Sequence, residues 1–380
     1  MMGNRMKYSK SWFTTFIIFL LITGCTNTKV TGHQPNVKHT TIGESLKEYT
    51  FKGWQAALDG NLLLAYLSGN GQQLTVMDLD KNQELVQIQL PSYECGFDIS
   101  GDYIVWSDLR NEKKNISDLG SVDIANADIF LYDLKTGQQR QLTEDMSSQV
   151  NPKIWGHYVV WMDNRNDTVK DYPSDWQIAL YDLNTDEMKI VTNAPGGQTD
   201  PDINDGFIVW EDGRNVKSKG LRAGSNLPEN NTDIYLYDIA KGNTIPIATG
   251  PKKEGRPQIS GNRVVWEDYS KGKYSADVSV YYLDTQQSER ITNLQQDQSV
   301  PVIYGDYIAW MDERRGTSMN DVIENGQKPN SDIYLYDLNT KTEMLMTGDE
   351  PQLQPILSDH WLIYTTSRQV DPELHAVRYR

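Results

Sequence analysis

One tryptophan-containing segment recurs along the chain and constrains the fold more than any other feature of the sequence. The five copies are YIVWSDLR (103–110), YVVWMDNR (158–165), FIVWEDGR (207–214), RVVWEDYS (263–270) and YIAWMDER (307–314). Their tryptophans are separated by 55, 49, 56 and 44 residues. A period of about 50 residues is typical of propellers and solenoids, in which each repeat is one supersecondary unit.

A second apolar segment follows each tryptophan segment. Its copies are ADIFLYDLKT (127–136), QIALYDLNT (177–185), TDIYLYDIAK (232–241), ADVSVYYLDT (276–285) and SDIYLYDLNT (331–340). Both segments are nearly continuous in Val, Ile, Leu, Trp and Tyr, which indicates strands whose two faces are both covered. A short strand before them, often with Pro at its start, and a polar strand after them complete four strands per unit. The sequence therefore predicts an all-β propeller of four-stranded antiparallel blades.

Two weaker copies raise the number of blades to seven. They are LLLAYLSG (62–69), with Tyr66 in place of the tryptophan, and WLIYTTSR (361–368), with Tyr364. The last unit ends after its third strand, HAVRYR (375–380), and a strand-like segment, LKEYTF (46–51), precedes the first unit. An N-terminal strand in the vacant fourth place would close the ring and remove an exposed edge. The alternative is a six-bladed ring with a degenerate first unit.

The complete repeat, P-x-I-x-G-D-Y-I-V-W-x-D followed by D-I-Y-L-Y-D-L-x-T-G-x-x-x-x-L-T, resembles the repeats of TolB-like propellers. The resemblance covers about residues 46–380 and implies the propeller fold. It implies no particular function, because propellers serve in binding, scaffolding and catalysis. No separate α/β domain precedes the repeats, so the resemblance does not extend to the role of TolB in the cell envelope.

The N-terminus has the features of an export signal. Residues 1–24 contain a basic start and the short apolar run WFTTFIIFLLI, which together predict a signal peptide. LITGC (21–25) resembles the lipobox of bacterial lipoproteins, which implies that Cys25 is acylated. An ordinary secretory cleavage that leaves Cys25 free is the alternative. Residues 25–45 are polar and aperiodic, as expected of a flexible tether between the membrane and a propeller domain at 46–380.

Composition narrows the choice of partners. The net charge of −16 argues against nucleic acid, whose binding requires clustered Lys and Arg. After Cys25 only Cys95 remains, so no intramolecular disulfide is expected in the folded domain. The sequence predicts an extracytoplasmic protein that a lipid anchor attaches to the membrane of the cell envelope.

Four long polar connections are expected on one face of the propeller, where binding usually occurs. They span 109–126, 164–175, 213–232 and 313–330. A W-x-D-x-R motif lies at the root of each, and its charged residues are candidates for ligand binding: Asp108, Arg110, Asp163, Arg165, Asp212, Arg214, Asp312 and Arg314. The alternative is structural, with each Arg paired to an Asp of its own or a neighbouring blade, such as Asp128, Asp233 or Asp332.

The signals for catalysis and metals are weak. No pair of histidines has metal-ligand spacing, and no G-x-S-x-G segment occurs. Asp98 and Asp202, with Asp200, are expected on the innermost strands, where a carboxylate pair could hydrolyse a glycoside. No cofactor is expected, although clustered oxygens at 163–167 and 118–128 leave a structural calcium ion open.

These features favour a binding module whose partner is an envelope protein, a peptide or a cell-wall glycan. A glycan-active envelope enzyme with its site in the central channel is the alternative. A purely structural spacer is the third hypothesis.

Overall fold

The computed structural model describes residues 48–67, 73–92, 94–112, 126–166, 176–216, 231–272, 275–315, 331–346, 351–366 and 372–380. Within these residues there are 27 β-strands and no helix, so nothing in this part of the chain is a helix able to cross a membrane. The strands form a seven-bladed propeller of four-stranded antiparallel blades, which confirms the predicted fold and excludes six blades. The predicted signal peptide, Cys25 and the tether lie outside the described residues.

Each blade is built from consecutive strands, numbered here in chain order. Blades 1 to 3 contain β1 (Glu48–Asp59), β2 (Leu62–Leu67), β3 (Gln73–Asp78), β4 (Gln83–Gln89); β5 (Glu94–Ser100), β6 (Tyr103–Asp108), β7 (Asp128–Asp133), β8 (Gln138–Gln141); and β9 (Gln149–Trp155), β10 (Tyr158–Asp163), β11 (Gln177–Asp182), β12 (Glu187–Ile190). Blades 4 and 5 contain β13 (Gln198–Asn204), β14 (Phe207–Asp212), β15 (Asp233–Asp238), β16 (Asn243–Ala248); and β17 (Glu254–Ser260), β18 (Arg263–Asp268), β19 (Asp277–Tyr282), β20 (Gln287–Arg290). Blades 6 and 7 contain β21 (Gln298–Tyr304), β22 (Tyr307–Asp312), β23 (Asp332–Asp337), β24 (Thr342–Met346); and β25 (Gln352–Leu357), β26 (Trp361–Thr366), β27 (Glu373–Arg378).

The ring closes through β1, which belongs to two blades. Its first half, 48–52, pairs antiparallel with β27 and is the fourth strand of blade 7. Its second half, 55–59, pairs with β2 and is the innermost strand of blade 1. The predicted closure by an N-terminal strand is therefore confirmed.

The first strands of the seven blades surround a central channel. Each of them contacts the first strand of the next blade, from β1 through β25 and back to β1. In five blades this strand begins three residues before its Pro, so the expectation that Pro starts the strand is wrong. The Pro lies at a bulge, where the interrupted ladder does not need its missing N–H. The residue before each Pro has positive φ: Asn151, Asp200, Arg256, Val300 and Gln354.

The core consists of seven apolar layers, one between each pair of neighbouring blades. Each tryptophan of the repeat faces the preceding blade. Trp106, for example, packs with Leu64 of blade 1, and Trp161 packs with Val105 of blade 2. Four of the five tryptophans are completely buried, and Trp266 is 4% exposed. Packing between blades is therefore the role of these indoles.

Blade 1 departs from the repeat by one residue. The strand register places Ala65, not Tyr66, at the position that Trp106 occupies in blade 2. The layer between blades 7 and 1 is filled instead by Trp361, whose ring stacks on Tyr49 at a centroid distance of 5.8 Å. Tyr66 faces the other side of the blade, so its assignment as the tryptophan equivalent is wrong.

Candidate functional site: the loop face and the central channel

The connections between second and third strands leave the propeller on one face, and the links between blades lie on the same face. We call it the loop face. The four long connections have their roots in the described part of the chain, but 113–125, 167–175, 217–230 and 316–330 lie outside it. The opposite face carries tight turns such as 101–102 and 134–137.

A closed unit of Trp, Asp and Arg lies at the root of each long connection. In blade 4 the indole Nε1 of Trp210 donates to Asp212 Oδ2 at 2.8 Å. Arg214 donates from Nε to Oδ1 at 2.8 Å, from Nη2 to Oδ2 at 2.7 Å, and from its backbone N–H to Oδ1 at 2.9 Å. Asp212 has no solvent exposure, so its charge is compensated entirely by these donors. The side chain of Arg214 remains 29% exposed.

Blades 2, 3 and 6 repeat this unit with the same residues, although in blade 6 the Nε of Arg314 donates to Asp312 Oδ2 rather than to Oδ1. The corresponding groups are Trp106, Asp108, Arg110; Trp161, Asp163, Arg165; and Trp310, Asp312, Arg314. In three blades the guanidinium also stacks on an aromatic ring of the third strand. Its carbon lies 3.7 Å from the Phe130 ring centroid, 3.8 Å from that of Tyr235 and 4.0 Å from that of Tyr334. Blade 3 has Ala179 at this place, and Arg165 forms an ion pair with Asp145 instead.

The geometry gives these charged residues a structural task. Each Arg of the unit pairs with the Asp two residues before it. It does not pair with Asp128, Asp233 or Asp332 of the third strands. The Asp oxygens are therefore engaged within the protein, while each Arg side chain keeps between 16% and 29% of its surface exposed. That these residues also contact a ligand stays a prediction. What the unit can do is fix the position at which a long connection begins.

Blade 5 contains a different arrangement, which the sequence analysis missed. Trp266 donates to Glu254 Oε2 at 2.7 Å, and Arg290 of the fourth strand reaches Asp268 Oδ2 at 2.6 Å. Burial raises the pKa of Glu254 to about 8, with Asp268 adding to the shift and the Trp266 bond opposing it. Burial would also raise the pKa of Asp268, but bonds from Ser270 and Arg290 outweigh it and lower the pKa. Glu254 is thus protonated, and therefore uncharged, near neutral pH. The Gln that other blades carry at this place is likewise uncharged.

A network of buried acids lies beside the channel where blades 4, 5 and 6 meet the loop face. Glu267 accepts from the Val300 backbone N–H at 2.8 Å and from the Tyr269 hydroxyl at 2.9 Å. The Nε of Arg256 lies 3.5 Å from Glu267 Oε1, and the side chain of Arg256 is 57% exposed. Burial, followed by the charge of Glu267, raises the pKa of Asp297 to about 7. This side of the propeller therefore holds an acid, Asp297, whose pKa burial and the charge of Glu267 bring close to neutral pH.

The proposed catalytic acids lie on the innermost strands, as expected. Their carboxylates, however, form hydrogen bonds that have a structural role. Asp98 Oδ2 accepts from the Ile154 backbone N–H at 2.9 Å, and Asp202 Oδ2 accepts from that of Ile259 at 2.8 Å. Each carboxylate thus joins its blade to the next one. Burial raises the pKa of Asp202 to about 6, against the opposing charge of Lys153. Burial and Glu211 raise the pKa of Asp200.

The described residues contain no group of three or more His, Cys, Asp or Glu that could hold a metal ion. Of the calcium candidates, 118–125 and Asp167 lie outside the described part. Asp163 is engaged by Trp161 and Arg165, and Asn164 Oδ1 accepts from the Ser148 backbone N–H at 2.7 Å. The side-chain oxygens of 163–164 are therefore already bonded to protein donors.

Similarity to known proteins lies in the fold. Neither a protein-family model nor a curated protein matches the chain. Among solved structures, an oligogalacturonate lyase from Vibrio parahaemolyticus matches at 11% identity and a TM-score of 0.60, over 88% of this chain and 92% of that one. The β-propeller domain of the Trilobed protease from Pyrococcus furiosus matches at 12% identity and a TM-score of 0.60, over 87% and 94%. TolB from Acinetobacter baumannii matches at 13% identity over 87% and 82%, with a TM-score of only 0.41.

These similarities establish the propeller fold and leave the function open, because the matched structures include an oligogalacturonate lyase and a domain of a protease. An oligogalacturonate lyase has also been solved in complex with manganese. In this protein, the described residues contain no group of three or more His, Cys, Asp or Glu side chains that could bind a metal ion.

Proposed function

We propose that the protein is a lipid-anchored, extracytoplasmic propeller that binds a partner through its loop face. The partner is another envelope protein, a peptide or a cell-wall glycan. The observation that supports this function most is the buried Trp–Asp–Arg unit beneath each of the four long connections. Rigid roots under polar segments of differing sequence suit recognition, since the scaffold stays fixed while the contacts vary.

The partner is tested by affinity capture from detergent-solubilised envelope, with the full chain as bait. In a first variant, 217–230 is replaced by a short Gly–Ser segment that leaves Arg214 and Asp233 in place. In a matched control, Lys135→Ala alters the opposite face, where Lys135 pairs with Asp102. We expect the first variant to lose the captured partner and the control to retain it. Retention by both variants would argue against this part of the loop face.

The anchor is tested by substituting Cys25, the predicted site of acylation. Cys25→Ser should move the protein from the membrane fraction to the soluble fraction, because the lipid is the only proposed membrane contact. Mass spectrometry of the N-terminal peptide should show a lipid on the natural chain and none on the variant. An unmodified Cys25 in the natural chain would support ordinary secretion instead.

A glycan-active enzyme is the second candidate, and the pKa of about 6 at Asp202 is the observation that favours it. A carboxylic acid with a pKa near 6 is half protonated at that pH and can protonate a leaving group there, while Asp98 could serve as the second carboxylate. Fragments of cell-wall glycan would be incubated with the natural chain and with Asp202→Asn. Cleavage that the variant abolishes would establish the enzyme. The absence of cleavage by the natural chain would leave the binding function.

A further inference from the structure

Seven residues at equivalent places of the first strands form one layer around the channel, which we call the channel layer. Each pairs with the central residue of its second strand, as Asp98 pairs with Val105 and Lys153 with Val160. The layer consists of Ala57, Asp98, Lys153, Asp202, Gln258, Val302 and Ile356. All except Ala57 retain part of their surface. Because these strands are the innermost ones, the exposed part of each side chain faces the channel, while Val302 and Ile356 also pack against the apolar layers between blades.

The channel layer is divided into two arcs of opposite character. Blades 2 to 5 contribute Asp98, Lys153, Asp202 and Gln258 in unbroken order, and blades 6, 7 and 1 contribute Val302, Ile356 and Ala57. Asp98 and Asp202 each join two blades through a backbone N–H, but no hydrogen bond or ion pair of the Lys153 side chain is found among the described residues. A ligand in this layer would therefore meet charged groups on one side and aliphatic groups on the other.

Lys153 is the central charge of the polar arc. Among the described residues, no carboxylate oxygen lies within 4.0 Å of its Nζ, although its charge lowers the pKa of both Asp98 and Asp202 against the effect of burial. The two carboxylates direct one oxygen each to a backbone N–H of the following blade rather than to the ammonium group. The arc thus offers a donor between two acceptors, and the ammonium group lacks a direct ionic partner.

The order of charges selects among ligands. A plain cation attracted by Asp98 or Asp202 would also approach Lys153, and a plain anion attracted by Lys153 would approach the two carboxylates. A ligand that carries an ammonium and a carboxylate on neighbouring atoms satisfies both signs together. The aliphatic arc across the channel favours an apolar group on the same ligand, since that group would leave water on binding.

We propose that the channel layer binds a zwitterionic α-amino acid with an apolar side chain. Its carboxylate pairs with Lys153, its ammonium group with Asp98 or Asp202, and its side chain contacts Val302 and Ile356. This site is separate from the long connections of the loop face. The proposal can therefore be tested independently of the partner proposed above.

The ligand class is tested by calorimetric titration of the full chain with four probes. L-Leucine carries all three features, leucinamide lacks the carboxylate, N-acetyl-leucine lacks the ammonium group, and glycine lacks the apolar side chain. We expect leucine to bind at least about tenfold more tightly than each of the others, since a lost charged partner costs 1.4 kcal/mol or more. Absence of leucine binding, or equal binding of leucinamide or N-acetyl-leucine, would overturn the proposal.

The place of binding is tested with Lys153→Met and Asp202→Asn. Both should weaken leucine binding by about tenfold or more, whereas Lys135→Met, which removes an exposed lysine from the tight-turn face, should leave it unchanged. Thermal unfolding would first show that each variant is folded. If Lys153→Met does not fold, Val302→Asn replaces it, and it should weaken leucine binding but not glycine binding. Unaltered leucine binding in the folded variants would exclude the channel layer.

Discussion

In blade 4 the indole of Trp210 donates to Asp212, and the same carboxylate holds Arg214 of the adjoining connection. In blade 5 the indole of Trp266 donates to Glu254 of the first strand, and Asp268 is held by Arg290 of the fourth strand. Ser270 occupies the place of the arginine in blade 5, and the neighbouring Lys271 pairs with Asp277 of the third strand instead of Asp268. The comparison shows that the buried indole needs an acceptor, but that the acceptor can come from another strand. It also shows that the arginine serves the carboxylate, since in blade 5 a different arginine, Arg290, binds Asp268.

The largest difference between the two blades is expected on removing the carboxylate. Asp212→Ala deprives both Trp210 and Arg214 of their partner and should lower the free energy of unfolding by about 3–5 kcal/mol. Asp268→Ala should cost about 1–3 kcal/mol, because Trp266 keeps Glu254 and Arg290 keeps Asp277 at 3.4 Å. Denaturant unfolding of both variants measures the two losses. Equal losses would contradict the division of roles drawn for blade 5.

A smaller effect, dependent on pH, is expected at Glu254. Its folded pKa of about 8 lies above the ordinary value of 4.5, so the folded protein retains a proton that the unfolded chain releases between these two pH values. The free energy of unfolding therefore falls as pH rises through this window, with a limiting slope of about 1.4 kcal/mol per pH unit from this group. Glu254→Gln removes the slope, so its melting temperature should exceed that of the natural chain increasingly from pH 5 to pH 8.

The matched control for Glu254 lies in blade 4, where Gln198 occupies the equivalent place and is fully buried. Gln198→Glu should introduce the pH dependence that Glu254→Gln removes, because it places an ionisable group in the same kind of buried site. Thermal unfolding across the same pH range would compare the two variants. A flat pH dependence of Gln198→Glu relative to the natural chain would locate the effect in blade 5 alone.

The smallest effect concerns the rings beneath the arginines. A double-mutant cycle between Arg214 and Tyr235 should give a coupling of about 0.5–2 kcal/mol, since the guanidinium stacks on that ring. The same cycle between Arg165 and Ala179, with Ala179→Gly, should give a coupling near zero, because blade 3 has no ring there. Denaturant unfolding of the single and double variants measures both couplings. A comparable coupling in blade 3 would show that the ring contributes little.

The architecture could be predicted because it depends on features that repeat. The tryptophan period gave the blades, and the strand missing after 375–380 indicated closure by the N-terminal segment. The register of blade 1 was misjudged because Tyr66 was matched by its aromatic character. Counting from the glycine turn at Gly60, as at Gly101 in blade 2, leads to Ala65.

The candidate sites were less predictable, because they depend on where the copies differ. Asp98, Lys153 and Asp202 each precede their tryptophan by eight residues, a signal that could have identified Lys153 as a member of the same layer. The protonation of Glu254 could not be predicted from the spacing of residues in the sequence. It depends on burial and on Asp268 and Arg290, which the fold brings near from other strands.

The double membership of β1 has a consequence for the order of folding. Blade 7 is complete only when 48–52 pairs with β27, and the paired Thr50 and His375 are separated by 325 residues along the chain. The ring therefore cannot close during synthesis until β27 has been added. Contacts between such distant residues carry a large entropy of loop closure and slow the folding of a domain. Earlier blades can stack as they emerge, but blade 7 stays incomplete until 48–52 pairs with β27.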